Sequence, residues 1–150
     1  GWNLKQLAAR RPNWRLSGID ISPDMLAQAA KATRKYGARV NLTLQTYGED
    51  ASREAPDLML FSYSLTMFNP GWEAAIEQAW KDLKPGGHIA VVDFHDTRLP
   101  WFRRWMECNN VRMDGQLLPF LEVRFVPEFQ VLKTGYGGIW RYFMFVGKKG

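Results

Sequence analysis

The side chains best suited to proton transfer or ligand binding come at the ends of the strands that this sequence predicts. In chain order they are Asp20, Ile21, Ser62, Tyr63, His95 and Asp96. An imidazole titrates near neutrality and can take a proton from an amine or a hydroxyl, and a carboxylate at a strand end can accept hydrogen bonds from the hydroxyls of a bound ligand. The alternatives are a purely structural His95 and a solvated carboxylate at Asp20.

A metal centre is not predicted. His88 and His95 lie seven residues apart on one predicted strand, which places them at opposite ends of it. Cys108 has no second cysteine to complete a ligand set, and a zinc site needs three or four converging ligands. We interpret His88, at the start of its strand, as a structural residue.

Alternating strands and helices position these residues. Hydrophobic periodicity predicts helices over 2–11, 22–36, 72–83 and 98–110, with a short one from about 117. It predicts strands over 15–21, 39–47, 57–64, 88–94, 129–134 and 139–147. The order indicates an α/β fold, an open doubly wound and mostly parallel sheet whose ligands bind at the carboxyl ends of the strands. The connection GYGG is too short for parallel strands, so the last two strands form an antiparallel hairpin.

Composition limits the class of protein. The 150 residues suffice for a single domain, and 46% hydrophobic with 23% charged residues is ordinary for a globular one. The apolar runs, such as the one at 58–61, are far shorter than the roughly 20 residues that span a bilayer. The single cysteine favours a reducing compartment, and the net charge of +5 favours an anionic partner or surface.

Several motifs in succession resemble the class I S-adenosylmethionine-dependent methyltransferases. They are GWNL, GIDISPDML, GEDA, DLMLFSYSL and LKPGGHIAVVDF, and together with the hairpin they cover nearly the whole chain. The resemblance implies S-adenosyl-L-methionine as cofactor. It implies that Asp20 holds the ribose, that Ile21 packs on the adenine, and that Asp50 (or Glu49) with Ala51 meets the adenine edge. Ser62 and Tyr63 would line the pocket near the transferred methyl. Because His95 and Asp96 come at the end of a strand beside that pocket, where the acceptor should enter, we predict them as the catalytic pair.

The sequence departs from this family at its start. The family has a glycine-rich loop after its first strand, and that loop is absent here apart from Gly1, which corresponds to its last glycine. We therefore expect the chain to be a fragment of the methyltransferase domain, with the first strand upstream of it.

The segment TRLPWFRRWMECNN, at 97–110, combines bulky aromatics with arginines. Wound as a helix, it places Trp101 and Trp105 together, with Phe102 alongside and Arg103 and Arg104 on the flanks. Core packing, contact with a membrane surface and nucleic-acid binding are the alternatives. The rest of the chain has no basic stripe or nucleic-acid-binding motif, so no nucleic-acid partner is predicted.

The C-terminal half resembles bacterial methyltransferases that make betaine lipids by N-methylating diacylglyceryl-homoserine. The similar segments are VDFHDT, WFRRWM, NNVRMDGQLLPFLE and GYGGIWRYFMFVGKK. The resemblance implies an enzyme of lipid biosynthesis in the cytoplasm, peripheral on the inner membrane surface, with Tyr136, Arg141 and Tyr142 at the headgroup. A methyltransferase of a soluble small molecule or quinone precursor is the first alternative. The second is a non-enzymatic domain that only docks on anionic membranes.

Overall fold

The computed structural model describes residues 1–49 and 54–150, and the chain divides into two compact units, 1–52 and 53–150. The first unit contains α1 (Trp2–Arg10), β1 (Leu16–Asp20), α2 (Pro23–Thr33), a 3-10 segment (Arg34–Arg39) and β2 (Val40–Leu44). The second contains β3 (Leu58–Ser62), α3 (Trp72–Asp82), β4 (His88–Asp96), α4 (Pro100–Cys108), α5 (Leu117–Arg124), β5 (Val126–Gly135) and β6 (Trp140–Lys148).

In the first unit, β1 and β2 pair in parallel, from Leu16 opposite Val40 to Asp20 opposite Leu44. Local signals explain the helix between them. The Ser22 hydroxyl accepts the N–H of Met25 at 3.3 Å, and Pro23 occupies the first turn, where no N–H is needed. This N-cap begins α2 two residues after β1 ends, so the strand end and the helix start lie together.

The second unit has a four-stranded sheet in the order β3-β4-β6-β5. The first pair is parallel, and the other two pairs are antiparallel, which confirms the predicted C-terminal hairpin. Helix α3 buries Trp72, Ala75, Ile76 and Ala79, and the sheet contributes the fully buried Phe143 and Phe145 to the core. The fully buried members of this core include Leu65, Ile76, Leu83, Ile89 and Leu121.

Two element boundaries differ from prediction around the strand-end residues. Strand β4 runs to Asp96, so His95 and Asp96 lie inside it, because β6 continues the pairing past a bulge between Phe94 and Asp96. Helix α4 begins later than predicted, at Pro100, because the Thr97 hydroxyl accepts the N–H of Leu99 at 3.2 Å. The segment before α4 is therefore a capped turn.

Strand β3 is more open than its continuous apolar sequence predicts. Leu58 and Leu60 are both exposed, whereas Phe61 is buried. An apolar run of this kind is typical of a strand covered on both faces. Here β3 forms one edge of the four-stranded sheet, and edge strands are covered on fewer sides.

Within residues 1–49 and 54–150, no helix has the length and apolar character needed to cross a bilayer.

Candidate functional site

In the first unit, Asp20 and Ile21 stand at the carboxyl end of β1, as predicted. One carboxylate oxygen of Asp20, Oδ1, accepts the N–H of Ser22 at 2.9 Å, which fixes the side chain beside the start of α2. The Ile21 side chain is 71% exposed, unusual for an isoleucine that follows a strand directly. The pair thus presents a carboxylate and an apolar surface side by side.

Gly1 packs directly against α2. A Cβ built on Gly1 would lie 2.6 Å from the Cα of Ala29, closer than any real contact, so no larger residue fits without a shift. Gly1 also precedes α1 as its N-cap residue. Because Gly1 has no side chain, the start of α1 can lie this close to α2.

Three predicted positions concern the loop after β2. Asp50 and Ala51 lie outside the described residues. Glu49 is exposed, and its N–H donates to the carbonyl of Thr46 at 3.4 Å.

In the second unit, Ser62 ends β3 and Tyr63 follows it in a left-handed conformation, with φ of 50°. The N–H of Tyr63 donates to the Val92 carbonyl at 2.8 Å, and its ring lies 5.0 Å from that of Phe94. Burial raises the pKa of the Tyr63 phenol, and the nearby Tyr142 and Asp93 raise it further. The phenol is therefore protonated at neutral pH and can donate a hydrogen bond.

Asp93 is the structurally central residue that the sequence analysis did not identify. Its fully buried carboxylate accepts four backbone N–H groups at 2.8 to 3.3 Å, those of Ser64, Leu65, Thr66 and Phe94. The Thr66 hydroxyl donates to Oδ1 at 2.5 Å. Burial raises the pKa of Asp93, and these hydrogen bonds act in the opposite direction. The sequence contained a signal for this residue. Asp93 continues the inward-facing positions of Ile89 and Val91 on β4, where a carboxylate must be buried.

His95 lines a small cavity of about 10 Å³, together with Thr66, Trp72 and Asp114 among others. A cavity of that size admits a water molecule and no substrate group. In the described part of the chain, the buried Nδ1 of His95 and Nε1 of Trp72 have no hydrogen-bond partner. Burial lowers the pKa of His95, against the opposing effect of the Asp96 charge, so the imidazole is neutral at pH 7.

Asp96 forms an ion pair with Arg141, its register partner on β6. Arg141 Nε donates to Asp96 Oδ1 at 2.6 Å, and the Arg141 Nη2 donates to the other carboxylate oxygen. The bidentate guanidinium lowers the pKa of Asp96. The structure thus joins one residue of the predicted catalytic pair to a residue of the predicted headgroup site, and leaves Asp96 ionised.

The other two predicted headgroup residues are positioned differently. Tyr142 follows Arg141 on β6 and points to the opposite face of the sheet, because successive strand residues alternate. Tyr136 is in the 3-10 turn of the hairpin, with its ring 4.8 Å from that of Trp140. The structure therefore does not bring Arg141 and Tyr142 together on one face.

The aromatic residues of α4 divide between core and surface. Phe102 is buried with Met106 against Val111 and Met113, so its place among the predicted membrane-contact residues is wrong. It faces the sheet because its ring stacks on Trp140 at 5.5 Å. Trp101 and Trp105 are 64% and 58% exposed, and Arg103, Arg104 and Cys108 are exposed too.

His88 is far from these groups along β4, and its Nε2 lies 3.0 Å from Glu128 Oε2 on β5. Residues 1–49 and 54–150 contain no cluster of three His, Cys, Asp or Glu side chains that could hold a metal ion.

The structure is an α/β fold with parallel strands, a C-terminal antiparallel hairpin and polar residues at the strand ends. Residues 1–89 match the family described as Methyltransferase domain. The chain belongs to that family.

Known relatives agree with this assignment. The chain is 28% identical over 105 residues to the ubiquinone/menaquinone biosynthesis C-methyltransferase UbiE of Rhizobium meliloti, a match covering 67% of this chain and 41% of the relative. It is 30% identical over 93 residues to the uncharacterized methyltransferase YdaC of Bacillus subtilis, covering 61% and 50%. The chain thus spans about half or less of the curated relatives that it matches.

Solved structures show the same fold. The N-methyltransferase NodS of Bradyrhizobium japonicum, in complex with S-adenosyl-L-homocysteine, superposes with a TM-score of 0.79 at 20% identity, over 97% of this chain and 71% of that one. The [4+2]-cyclase SpnF superposes with a TM-score of 0.76 at 18% identity, over 96% and 69%. At these identities the likeness shows the fold and not the reaction.

Proposed function

We propose that this chain is the catalytic domain, or part of it, of an S-adenosylmethionine-dependent methyltransferase. The observation that carries the proposal is the match to the Methyltransferase domain family, with an acidic residue, Asp20, at the end of β1. Relatives named as methyltransferases and the fold shared with NodS support it.

The residues of the first unit fit such a cofactor. Asp20 uses Oδ1 for the Ser22 N–H, which orients the carboxylate, and a carboxylate has further lone pairs for the ribose hydroxyls. The exposed side chain of Ile21 suits one face of the adenine. S-adenosylmethionine supplies an electrophilic methyl group on a sulfonium. The protein's part is to position an acceptor lone pair in line with it and to keep that lone pair free of a proton.

For the acceptor, we propose a lipid headgroup amine, the nitrogen of diacylglyceryl-homoserine. Such a headgroup carries a carboxylate and an ammonium. The Arg141–Asp96 pair is only partly buried, so it offers a guanidinium and a carboxylate to these two charges. His95 is neutral at pH 7, and because its cavity admits only a water molecule, it would take the amine proton through that water.

The test uses the purified protein with methyl-labelled S-adenosylmethionine and a bacterial lipid extract. We expect label in the organic phase, in a lipid that mass spectrometry identifies by its quaternary amine. Cofactor affinity is measured separately by calorimetry, with Asp20→Asn beside the matched variant Asp24→Asn in the exposed first turn of α2. Asp20→Asn should weaken cofactor binding about tenfold or more, because hydrogen bonds to a charged group are worth about 1.5–3 kcal/mol. Equal affinity in both variants contradicts the assignment of Asp20.

A methyltransferase of a soluble small molecule or a quinone precursor is the second candidate, which the named function of UbiE favours. Label in a prenylated aromatic product or in the aqueous phase, with none in a quaternary amine lipid, identifies it. If this protein binds no cofactor but sediments with vesicles, it is the non-enzymatic domain that docks on membranes.

A further inference from the structure

An exposed aromatic surface covers one side of α4 and the hairpin turn of the second unit. We call the side chains of Trp101, Trp105, Tyr136 and Ile139 the aromatic face. Trp101 and Trp105 are one helical turn apart, and Tyr136 is 79% exposed beside Trp140. Single exposed apolar residues are common, but large aromatics grouped from two elements mark a contact surface.

The core beneath this face is complete without the tryptophans. Helix α4 already buries Phe102 and Met106 against Val111 and Met113. The Phe102 ring is parallel to that of Trp140 within 10°, at 5.5 Å. Trp101 and Trp105 lie outside this buried cluster and remain exposed.

The face is concave and apolar. Trp101, Phe102, Trp105 and Ile139 line an open groove of about 510 Å³. The Trp101 and Trp105 rings each lie 5.8 Å from the Phe102 ring, which also lines the groove. An indole combines a large apolar area with one N–H donor, which suits the boundary between headgroups and acyl chains.

Two arginines neighbour the groove tryptophans in the sequence, Arg98 three residues before Trp101 and Arg104 directly before Trp105. Arg98 and Arg104 are both exposed. Within residues 1–49 and 54–150, neither arginine forms an ion pair. Arg103 is directed elsewhere, because its Nη2 donates to the Thr97 carbonyl at 2.9 Å. The one acidic residue of α4 is Glu107, so arginine dominates the helix.

We propose that the aromatic face docks this protein on a bilayer that contains anionic lipid. Trp101 and Trp105 enter the headgroup region, Tyr136 lies beside them, and Arg98 and Arg104 contact lipid phosphates. The apolar groove favours a membrane over a nucleic acid. A single strand that stacks its bases on aromatic residues also needs positively charged groups along its phosphate backbone, and this groove is lined by apolar side chains. The inference deepens the proposed lipid acceptor, since docking brings the second unit to the headgroups.

The experiment is flotation of the protein with vesicles in the absence of any cofactor. One set contains 30% phosphatidylglycerol in phosphatidylcholine, and the other is pure phosphatidylcholine. Trp101→Ser with Trp105→Ser should lower partitioning by at least about tenfold, because two large apolar groups leave the interface. The matched control is Trp2→Ser with Trp14→Ser, which removes two exposed tryptophans from the first unit and should leave partitioning unchanged.

The arginines are tested separately. Arg98→Gln with Arg104→Gln should reduce binding to the anionic vesicles by about fivefold per charge, as roughly 1 kcal/mol per arginine implies, with no change on pure phosphatidylcholine. The control pair, Arg10→Gln with Arg34→Gln, should bind as the parent protein does. Circular dichroism of each variant verifies the fold.

Three results overturn the proposal: equal partitioning of the parent and the folded tryptophan pair, equal losses in the control pairs, or tighter binding to a single-stranded oligonucleotide that displaces the vesicles. If the tryptophan pair unfolds, quenching of the parent's tryptophan fluorescence by brominated acyl chains decides, and an absence of quenching overturns docking. Because cofactor is omitted, failure here is separate from failure of methyl transfer.

Discussion

At the scale of single residues, the buried Asp93 organises the turn that follows β3. Its carboxylate gathers the N–H groups of Ser64, Leu65 and Thr66, which would otherwise be donors without partners in a turn. Through that turn it fixes the backbone next to Tyr63, whose left-handed conformation needs support from its surroundings. Asp93 is therefore a positioning residue for the predicted cofactor side of the second unit.

Asp93→Asn should destabilise the protein by about 2–3 kcal/mol, because an amide nitrogen replaces one acceptor oxygen and faces donors in a buried place. Urea denaturation followed by circular dichroism measures the change. The control is Asp57→Asn, whose carboxylate forms an exposed ion pair with Lys84 and should contribute less than about 1 kcal/mol. Equal losses in the two variants would contradict the role of Asp93.

The Asp96–Arg141 pair makes stability depend on acid pH. Arg141 lowers the pKa of Asp96, so the folded protein binds this proton less readily than the unfolded chain does. The stabilisation is complete above the unfolded aspartate pKa of about 3.9 and is lost in more acidic solution, as the pH falls through the lower folded pKa. Asp96→Asn should be about 1 kcal/mol less stable at pH 7 and equal to the parent near pH 2. Unfolding free energies of the parent and Asp96→Asn across that range test this.

Local pattern was enough to find some of these residues and not others. Asp20 follows an apolar strand and precedes the cap Ser22-Pro23, so the sequence alone places it at a strand end. Asp96 and Arg141 are 45 residues apart, and their pairing depends on a bulge that moves the register by one residue. Such a shift has no local signature, so the ion pair could not be predicted.

At the scale of elements, α4 shows which part of a helix its sequence determines. The residue pattern predicts a helix here with its aromatics on one side, and the helix is observed. It does not decide that Phe102 is buried and Trp101 is not, because that depends on where Trp140 of β6 meets the helix. Periodicity identifies a face, and the tertiary partner decides how far the buried part of it extends.

In the first unit, Arg39 connects the end of the 3-10 segment to the end of α1. Its two terminal nitrogens donate to the carbonyls of Ala8, Arg11, Pro12 and Trp14 at 2.7 to 3.2 Å. These include carbonyls that a helix end leaves without partners.

Arg39→Lys should cost about 1–2 kcal/mol, because one ammonium cannot reach four carbonyls that a planar guanidinium spans. Thermal unfolding followed at 222 nm gives the readout. Arg34→Lys changes an exposed arginine at the start of the same segment and should leave the midpoint unchanged. A shift of the same size in both variants would show that lysine is simply disfavoured in this segment.

At the scale of the whole molecule, the four-stranded sheet ends in β3 on one side and β5 on the other. Exposed backbone at such edges can pair with another chain. Strand β5 carries three protective features, Pro127, a bulge between Pro127 and Phe129, and Lys133 near its end. They offset exposed apolar residues on the same strand, Val126, Phe129 and Leu132.

Pro127→Val should increase self-association, because it restores a backbone N–H and adds a β-branched residue to an exposed edge. Light scattering against protein concentration measures this. Thr134→Val adds the same side chain to the same strand while keeping the proline, and it should remain at the parent's size. If both variants associate equally, added hydrophobicity rather than the lost proline is responsible.

Cys108, exposed at the end of α4, has a practical consequence. It is the single cysteine of the sequence, three residues after Trp105 and seven after Trp101, so it lies on the same side of the helix as both. One thiol-reactive dye therefore attaches at one defined place, without any engineered substitution. The emission wavelength of a polarity-sensitive dye at this position would then report whether this side of α4 faces water or an apolar environment.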